Sequence, residues 1–417
     1  MLFEKQMKVF KHASDTVPFY IDLYEQKKIC ELDINRWHNV PITTKDDLVL
    51  RNDSFISARY LSKYLQGKLI CTHTSGSTGK CANVFWEPLE CNRSLLSLWL
   101  QRKKYYGINP HDRFCYFFTS RNVGKKDIEI EHREYSLGFC KSNLNEDKLV
   151  DIWNTIREYK PIWMILQPSI AVLLCKVVEK RQLQKIPSLR YIETTGEMLF
   201  LSVKSYIENV LGVVIANQYG CNEMNSIAYE CPKGFMHCME ENVLVEVVDS
   251  SGQPLPDGEE GEICITTLTN YAMPLIRYKI GDRGCVFKQE CSCGNSHKIL
   301  KLTSGRSNDW VIDKYGNKIN SYIFVRCVEN VNKVMEHAIL QFQVIQKDYD
   351  LFLLKFVIDE EISPDMLCQC FIDNLWHSSL STSEFEIEVY PDLFPDEKNG
   401  KLKWFISELE NEVISES

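Results

Sequence analysis

Between Phe114 and Ala216 the chain alternates short apolar segments with amphipathic stretches of about a dozen residues, and that rhythm limits the fold more than any other feature. Phe114–Phe118, Pro161–Leu166, Tyr191–Thr195 and Val213–Ala216 read as buried strands. Leu144–Tyr159, Ser169–Arg181 and 199–211 read as the helices between them. Strand–helix–strand connections of this length build a largely parallel sheet covered by helices. In such sheets ligands sit at the carboxyl ends of the strands, so residues just after each strand are the first to inspect. Tyr191–Thr195 runs into Gly196-Glu197, and Val213–Ala216 runs into Asn217-Gln218-Tyr219-Gly220-Cys221-Asn222-Glu223. Each ends in a glycine with a glutamate nearby. A turn glycine and an acid at a helix N-terminus explain the same pair without any ligand.

Upstream stands Thr72-His73-Thr74-Ser75-Gly76-Ser77-Thr78-Gly79-Lys80, flanked by the apolar Lys68–Cys71 and the β-prone Asn83–Trp86. It reads as a loop between two strands. Glycines let backbone approach a ligand, and bare N–H groups, hydroxyls and one ammonium suit a polyphosphate. It is not a P-loop. The first glycine of that motif would fall at Thr74, the residue after Lys80 is Cys81 rather than a hydroxyl, and the segment beyond Cys81 reads as extended rather than helical.

Composition narrows the class. The chain has 417 residues, enough for two or more domains, and a net charge of −9, which argues against nucleic acid as the main partner. No run of about 18 apolar residues predicts a membrane span, and Met1–Gln6 has no apolar signal core. The 17 cysteines are odd in number and scattered through apolar segments, which fits a reducing cytoplasm. Residues 1–36 read as helices broken at Val17-Pro18, and Thr43 or Thr44 as the N-cap of the next helix. Residues 120–135, dense in alternating charge, read as a surface loop or lid. Residues 242–268 read as β-hairpins turning at Asp249–Gly252 and Pro256–Gly258.

The string Thr74–Lys80 resembles the phosphate loop of the adenylate-forming enzymes, the acyl-CoA synthetases and their relatives, with Cys81 where proline is usual. Four further stretches resemble that family in order. Tyr219-Gly220-x-x-Glu223 resembles Y-G-x-T-E, with Asn222 in place of threonine. Pro274–Asp282 resembles P-L-I-R-Y-x-T-G-D, with Ile280 in place of threonine. Gly305-Arg306-x-x-Asp309 resembles the hinge, whose pivot falls on Asn308, and Gly400-Lys401 resembles the terminal lysine loop. Val17–Tyr20 and Val40–Leu48 resemble the N-terminal region of the phenylacetate–CoA ligase and capsule-biosynthesis branch.

The resemblance implies a fold: an α/β large domain over 1–304, with mixed, mostly parallel sheets and a β-rich subdomain, and a small mobile α+β lid over 305–417. It implies ATP as cofactor, with Thr74, Ser75, Gly76, Ser77, Thr78, Gly79 and Lys80 on its phosphates. Gly196, Glu197, Gly220 and Asn222 would line the nucleotide, Tyr219 would stack on adenine, and Glu223 would hold Mg2+. Asp282 and Arg306 would bind the ribose, and Lys401 would reach the carboxylate and α-phosphate. The implied reaction turns a carboxylic acid into an acyl-adenylate and passes the acyl group to coenzyme A or to a carrier-protein phosphopantetheine. An amine or alcohol acceptor, and a catalytically inactive nucleotide-binding relative, are the alternatives; a homodimer is open.

Cys231, His237, Cys291 and Cys293 form a separate group of metal-ligand type. Four ligands from two short loops is the logic of a structural zinc site, and some phenylacetate–CoA ligase-like proteins carry a similar zinc-bound pair of loops. The C-x-C spacing is tighter than usual, so free buried cysteines are the other reading.

Overall fold

Proline dictates the first boundary. Helix Leu2–Thr16 stops before Val17, whose extended backbone (φ −106°, ψ 111°) is what a residue preceding proline adopts, and Pro18 opens the next helix at Pro18–Gln26. Of the two candidate caps it is Thr44 that starts helix Lys45–Leu50. Its hydroxyl accepts from Asp47 N while the Asp47 carboxylate accepts from Thr44 N at 2.9 Å. Thr43 is buried and donates to Ile276 O at 2.9 Å instead.

The computed structural model describes residues 2–29, 34–73, 82–119, 122–123, 126–127, 129–306, 310–335, 338–358, 362–376, 378–396 and 401–409. The chain divides into two compact units, residues 1–111 with 216–303, and residues 112–215 with 304–417.

The first unit contains the short hairpin Ile70–His73 with Asn83–Trp86, register His73↔Asn83, which places residues 74–82 in the connection as expected. Its larger sheet runs in the order Val243–Val248, Gly261–Thr267, Tyr278–Phe287, Ile299–Arg306, Met236–Cys238, Asn225–Glu230, Val214–Cys221. Five of the pairings are antiparallel, including the expected hairpin Val243–Val248 with Gly261–Thr267. Helix Pro88–Tyr106 is capped by the Glu87 carboxylate and closed by Gly107 at φ +68°. One apolar core joins the N-terminal helices to this sheet through Phe10, Tyr20, Phe55, Trp86, Ile265 and Leu275, each worth about 1.5–3 kcal/mol of burial.

The second unit holds the parallel strands, ordered Tyr191–Thr195, Trp163–Leu166, Phe114–Phe118, Ser136–Cys140. Helices Glu146–Tyr159, Pro168–Lys180 and Leu201–Leu211 supply the crossovers. The stretch 120–135 is not loop throughout. Ile130–His132 pairs antiparallel with Ser136–Cys140 at the sheet edge. Its charges hid it, because an edge strand with one solvated side keeps charged residues that a central strand excludes.

The same unit contains a small α+β layer. Strands order as Glu384–Val389, Leu351–Ile358, Ile339–Asp348, Phe405–Ser407, with helices Tyr322–Val334 and Pro364–Asp373 packed on them. Phe324, Phe352, Phe371 and Phe405 make its core. The last strand, Phe405–Ser407, is not expected from sequence and pairs parallel to Ile339–Asp348. The turn at Asp313–Asn317 is set by the Asp313 carboxylate, which accepts from Tyr315 N and Asn317 N. Among the described residues no helix is long and apolar enough to cross a membrane.

Candidate functional site

In the first unit, motifs far apart in sequence meet on neighbouring elements. Tyr219 lies in strand Val214–Cys221 and Asp282 in strand Tyr278–Phe287; the tyrosine hydroxyl donates to Asp282 Oδ2 at 2.6 Å. A charge-assisted bond of that length holds both side chains in one geometry. The next residue must be glycine. A Cβ on Gly220 would fall 2.2 Å from Asn225 O and 2.6 Å from Gln218 Nε2, at a register shift in the ladder. Gly281, just before Asp282, has φ +87°, where other residues are strained. Glu223 is buried, and the Tyr278 hydroxyl faces its Oε1 at 3.4 Å. Burial pushes the neighbouring Cys221 thiol well above its ordinary range, reinforced by the Glu223 charge.

Asn222 is accounted for by its partners. Its side-chain amide donates to His73 O at 2.6 Å, and Thr72 Oγ1 donates to Asn222 O at 3.2 Å. Asn222 thus ties the end of strand Ile70–His73, where the glycine-rich loop begins, to the Tyr219–Glu223 segment. The loop residues Thr74, Ser75, Gly76, Ser77, Thr78, Gly79 and Lys80 lie outside the described residues, as do Cys81 and Asn308. Arg306 ends strand Ile299–Arg306, and its side chain lies outside what is described. Arg277, inside the Pro274–Asp282 match, is structural. Its guanidinium is buried and donates to His38 O, Val40 O and Gly252 O at 2.7–2.9 Å, beside the Glu246 carboxylate at 3.4 Å.

In the second unit, Gly196 comes after strand Tyr191–Thr195 with φ +83°. The Glu197 carboxylate accepts three bonds: Ser169 Oγ at 2.9 Å and Leu402 N at 2.8 Å on Oε1, and Ser169 N at 3.1 Å on Oε2. Ser169 belongs to the first turn of helix Pro168–Lys180, so Glu197 caps that helix rather than the next one in the chain, which begins at Leu201. Burial raises its carboxyl above the usual range, opposed by these donors and by Lys141. Lys401 brings its Cε to 3.8 Å from the point where a Gly196 Cβ would stand. Residues 401–404 are anchored to the small sheet by Gln343 Nε2 to Lys403 O and Val344 N to Trp404 O, both 2.8 Å. Lys141, which sequence reasoning passes over, is buried after strand Ser136–Cys140; burial pulls its ammonium down to about 8, while Glu197 favours the charge and Lys401 opposes it. No spacing rule could mark it, since its partners lie far away in the chain.

The cysteine–histidine group assembles in the first unit. The ligand atoms of Cys231, His237, Cys291 and Cys293 all lie within 4.8 Å of one another. Cys231 Sγ and Cys291 Sγ are 3.8 Å apart, and Cys293 Sγ is 3.3 Å from His237 Nε2. A tetrahedral zinc with Zn–S bonds of about 2.3 Å has S···S edges of about 3.8 Å, so the donor set fits that metal. The two turns are shaped by Gly234 (φ +79°) and Gly294 (φ +77°). His237 Nδ1 faces His297 O at 3.3 Å, which leaves Nε2 for a metal. His297 itself contacts Cys238 O through Nδ1 at 3.1 Å and is no member of the quartet.

Residues 132–271 match the family model of the AMP-binding enzymes, and residues 311–408 match the CapK C-terminal domain. A phenylacetate–coenzyme A ligase of Thermus thermophilus is 30% identical over 196 residues, 46% of this chain and 43% of that protein. The Escherichia coli phenylacetate–coenzyme A ligase is 28% identical over 357 residues, 82% of this chain and 76% of that one. The crystal structure of a 2-hydroxyisobutyryl-CoA ligase in its postadenylation state, in complex with an acyl-AMP, superposes with TM-score 0.75 at 16% identity, over 98% of this chain and 89% of the other, and so shares the fold. The chain belongs to the adenylate-forming superfamily of ligases, in the branch of phenylacetate–CoA ligase and CapK.

Proposed function

We propose that this protein activates a carboxylic acid with ATP, forming an acyl-adenylate and pyrophosphate, and then transfers the acyl group to a thiol, that of coenzyme A or of a carrier-protein phosphopantetheine. The observation that carries the reading is the Tyr219–Asp282 hydrogen bond. It unites an aromatic ring able to stack on adenine with a carboxylate able to accept from both ribose hydroxyls. In this reading the glycine-rich loop from Thr74 to Lys80 takes the phosphates, with Asn222 fixing where that loop begins. Glu223 holds the magnesium, a carboxylate being the hard oxygen ligand that ion requires. Arg306 joins Asp282 at the ribose. Gly196 leaves room beside Lys401, and Lys401 neutralises charge that builds on the carboxylate and α-phosphate as they react. The small layer after residue 304 acts as the lid, pivoting at Asn308, and excludes water from the hydrolysable adenylate.

The Cys231–His237–Cys291–Cys293 group holds zinc in a structural role, since four protein ligands leave no position for a substrate. All fifteen described cysteines lack a disulfide partner, which supports a reducing compartment such as the cytoplasm. The test is direct trapping: protein, magnesium, ATP and a panel of aryl, fatty and amino acids, analysed for acyl-AMP by mass spectrometry. One acid giving its adenylate supports the reading; nucleotide binding with no adenylate from any acid contradicts it.

A further inference from the structure

We propose that Tyr105 is a positioning residue of the cysteine–histidine metal group: its hydroxyl donates to the metal-bound thiolate of Cys293, so that the metal is held from helix Pro88–Tyr106 as well as from its two loops. The inference rests on the zinc reading above. Tyr105 sits in the last turn of the helix, two residues before the Gly107 cap. Its hydroxyl lies 3.5 Å from Cys293 Sγ, within hydrogen-bonding reach of sulfur. The backbone N–H of Asn295 donates to the same sulfur at 3.4 Å. The next residue, Tyr106, donates through its hydroxyl to Glu230 O at 2.9 Å, and Glu230 immediately precedes the ligand Cys231. The preceding residue, Lys104, brings Nζ to 4.0 Å from the point where a Cβ on Gly294 would stand, one residue past Cys293. Three successive residues at one helix end thus meet both metal loops.

The charge of the group explains why such donors are useful. A zinc dication held by three thiolates and one neutral imidazole keeps a net negative charge, and that charge sits on the sulfurs. Donors facing a sulfur stabilise it and fix its direction toward the metal. Cys293 receives two, the Tyr105 hydroxyl and the Asn295 amide, with the Lys104 ammonium beside the same loop. The fourth ligand, His237, has the corresponding contact in His297 O at 3.3 Å from Nδ1. A thiol is a weak acceptor and a thiolate a strong one, so the Tyr105 bond strengthens when the metal arrives. Metal binding therefore fastens the end of the helix. Further up, the same helix is tied to strand Asn225–Glu230 by Asn225 Nδ2 donating to Ser94 Oγ at 2.7 Å. That strand pairs with Val214–Cys221 in the register Tyr219↔Ala228. The metal thus braces the helix across the strand next to Tyr219.

Tyr105 has a rival role, that of merely packing the helix end, and the experiment separates the two. Zinc affinity is measured by competition with a chromophoric chelator for the full chain and for the variants Tyr105→Phe and Tyr106→Phe, and melting temperatures are taken with and without zinc. Tyr105→Phe is expected to raise the zinc dissociation constant about tenfold or more, the scale seen when a hydrogen-bond partner of a metal ligand is lost, and to shrink the rise in melting temperature that zinc confers. Tyr106→Phe, whose hydroxyl meets a carbonyl rather than a ligand atom, is expected to lower the melting temperature equally with and without zinc and to leave the zinc dissociation constant unchanged. In the cobalt(II)-loaded chain, Tyr105→Phe is expected to move the thiolate-to-metal charge-transfer band to longer wavelength, because a thiolate deprived of its donor gives up electron density more easily. Lost packing alone does not move that band. An unchanged zinc dissociation constant or an unmoved cobalt band in Tyr105→Phe overturns the proposal, as does an equal loss of zinc affinity in Tyr106→Phe. A wild-type chain that binds neither zinc nor cobalt overturns the zinc reading and this assignment together, whereas zinc bound equally well by Tyr105→Phe overturns this assignment only.

Discussion

The two units hold their site residues in different ways. In the first, each is tied through side chains to another segment: Tyr219 to Asp282, Asn222 to His73 O, Glu223 to Tyr278. Asn222 and Tyr219 form these bonds at 2.6 Å from a strand or its immediate exit, and the glycine at position 220 admits no substituent. In the second, Leu402 N, next to Lys401, donates to Glu197 after strand Tyr191–Thr195, and Lys403 O and Trp404 O accept from Gln343 Nε2 and Val344 N of the small sheet. A side-chain lattice on a sheet pre-organises its groups and loses little entropy when a ligand arrives. Loss of one such backbone bond costs roughly 0.5–1.5 kcal/mol, or somewhat more where the acceptor is charged. On the proposed function, the residues assigned to the nucleotide are tied by their side chains to another segment, while the segment bearing the lysine assigned to the chemistry is tied through its main chain.

The largest expected effect separates the two sets. Lys401→Ala should lower adenylation by about 10²–10³-fold or more, the scale seen when one preorganised charge-stabilising group is lost, while ATP affinity measured by calorimetry stays at the wild-type value. An equal loss of ATP affinity would break the distinction. Asp282→Ala should do the reverse. Removing a charged acceptor is worth about 1.5–3 kcal/mol, so ATP affinity should fall by about 10–100-fold, read by the same calorimetry. The cysteine group tests how far the rigidity of the first unit depends on a metal. The purified chain should carry one zinc per molecule by elemental analysis, and Cys293→Ser should lower the melting temperature by about 10 °C through loss of roughly 3 kcal/mol or more. A metal-free chain of unchanged melting temperature would remove zinc from the account. The smallest effects belong to the ties themselves. Asn222→Ala and Tyr219→Phe each delete one hydrogen bond and should raise the KM for ATP by about three- to tenfold with little change in kcat.

Sequence and structure agree most where the signal is local. The parallel strands from Phe114 to Thr195, the hairpin at Asp249–Gly252 and the Pro18 break each arise from nearby residues, and each is found. The metal-ligand quartet was legible too, because cysteines flanked by turn glycines carry their own signature. What stayed hidden depends on pairing at a distance. Phe405–Ser407 becomes a strand only because Ile339–Asp348 offers it an edge. Arg277 reads as part of a ligand motif, yet its partners at residues 38, 40 and 252 make it a structural knot. Asn222 reads as a departure from the family threonine, and only the His73 carbonyl explains it. Lys141 is one of 48 lysines and arginines, with nothing in its neighbours to single it out until the fold brings Glu197 and Lys401 to it.

The measurement that bears most directly on the central claim is ATP–pyrophosphate exchange with magnesium across aryl, fatty and amino acids. The account predicts exchange that depends on one class of acid, is abolished in Lys401→Ala, and survives at higher ATP concentration in Asp282→Ala. Absence of exchange with every acid, in a protein that binds ATP through Tyr219 and Asp282, would contradict it and leave a nucleotide-binding relative without the activation chemistry.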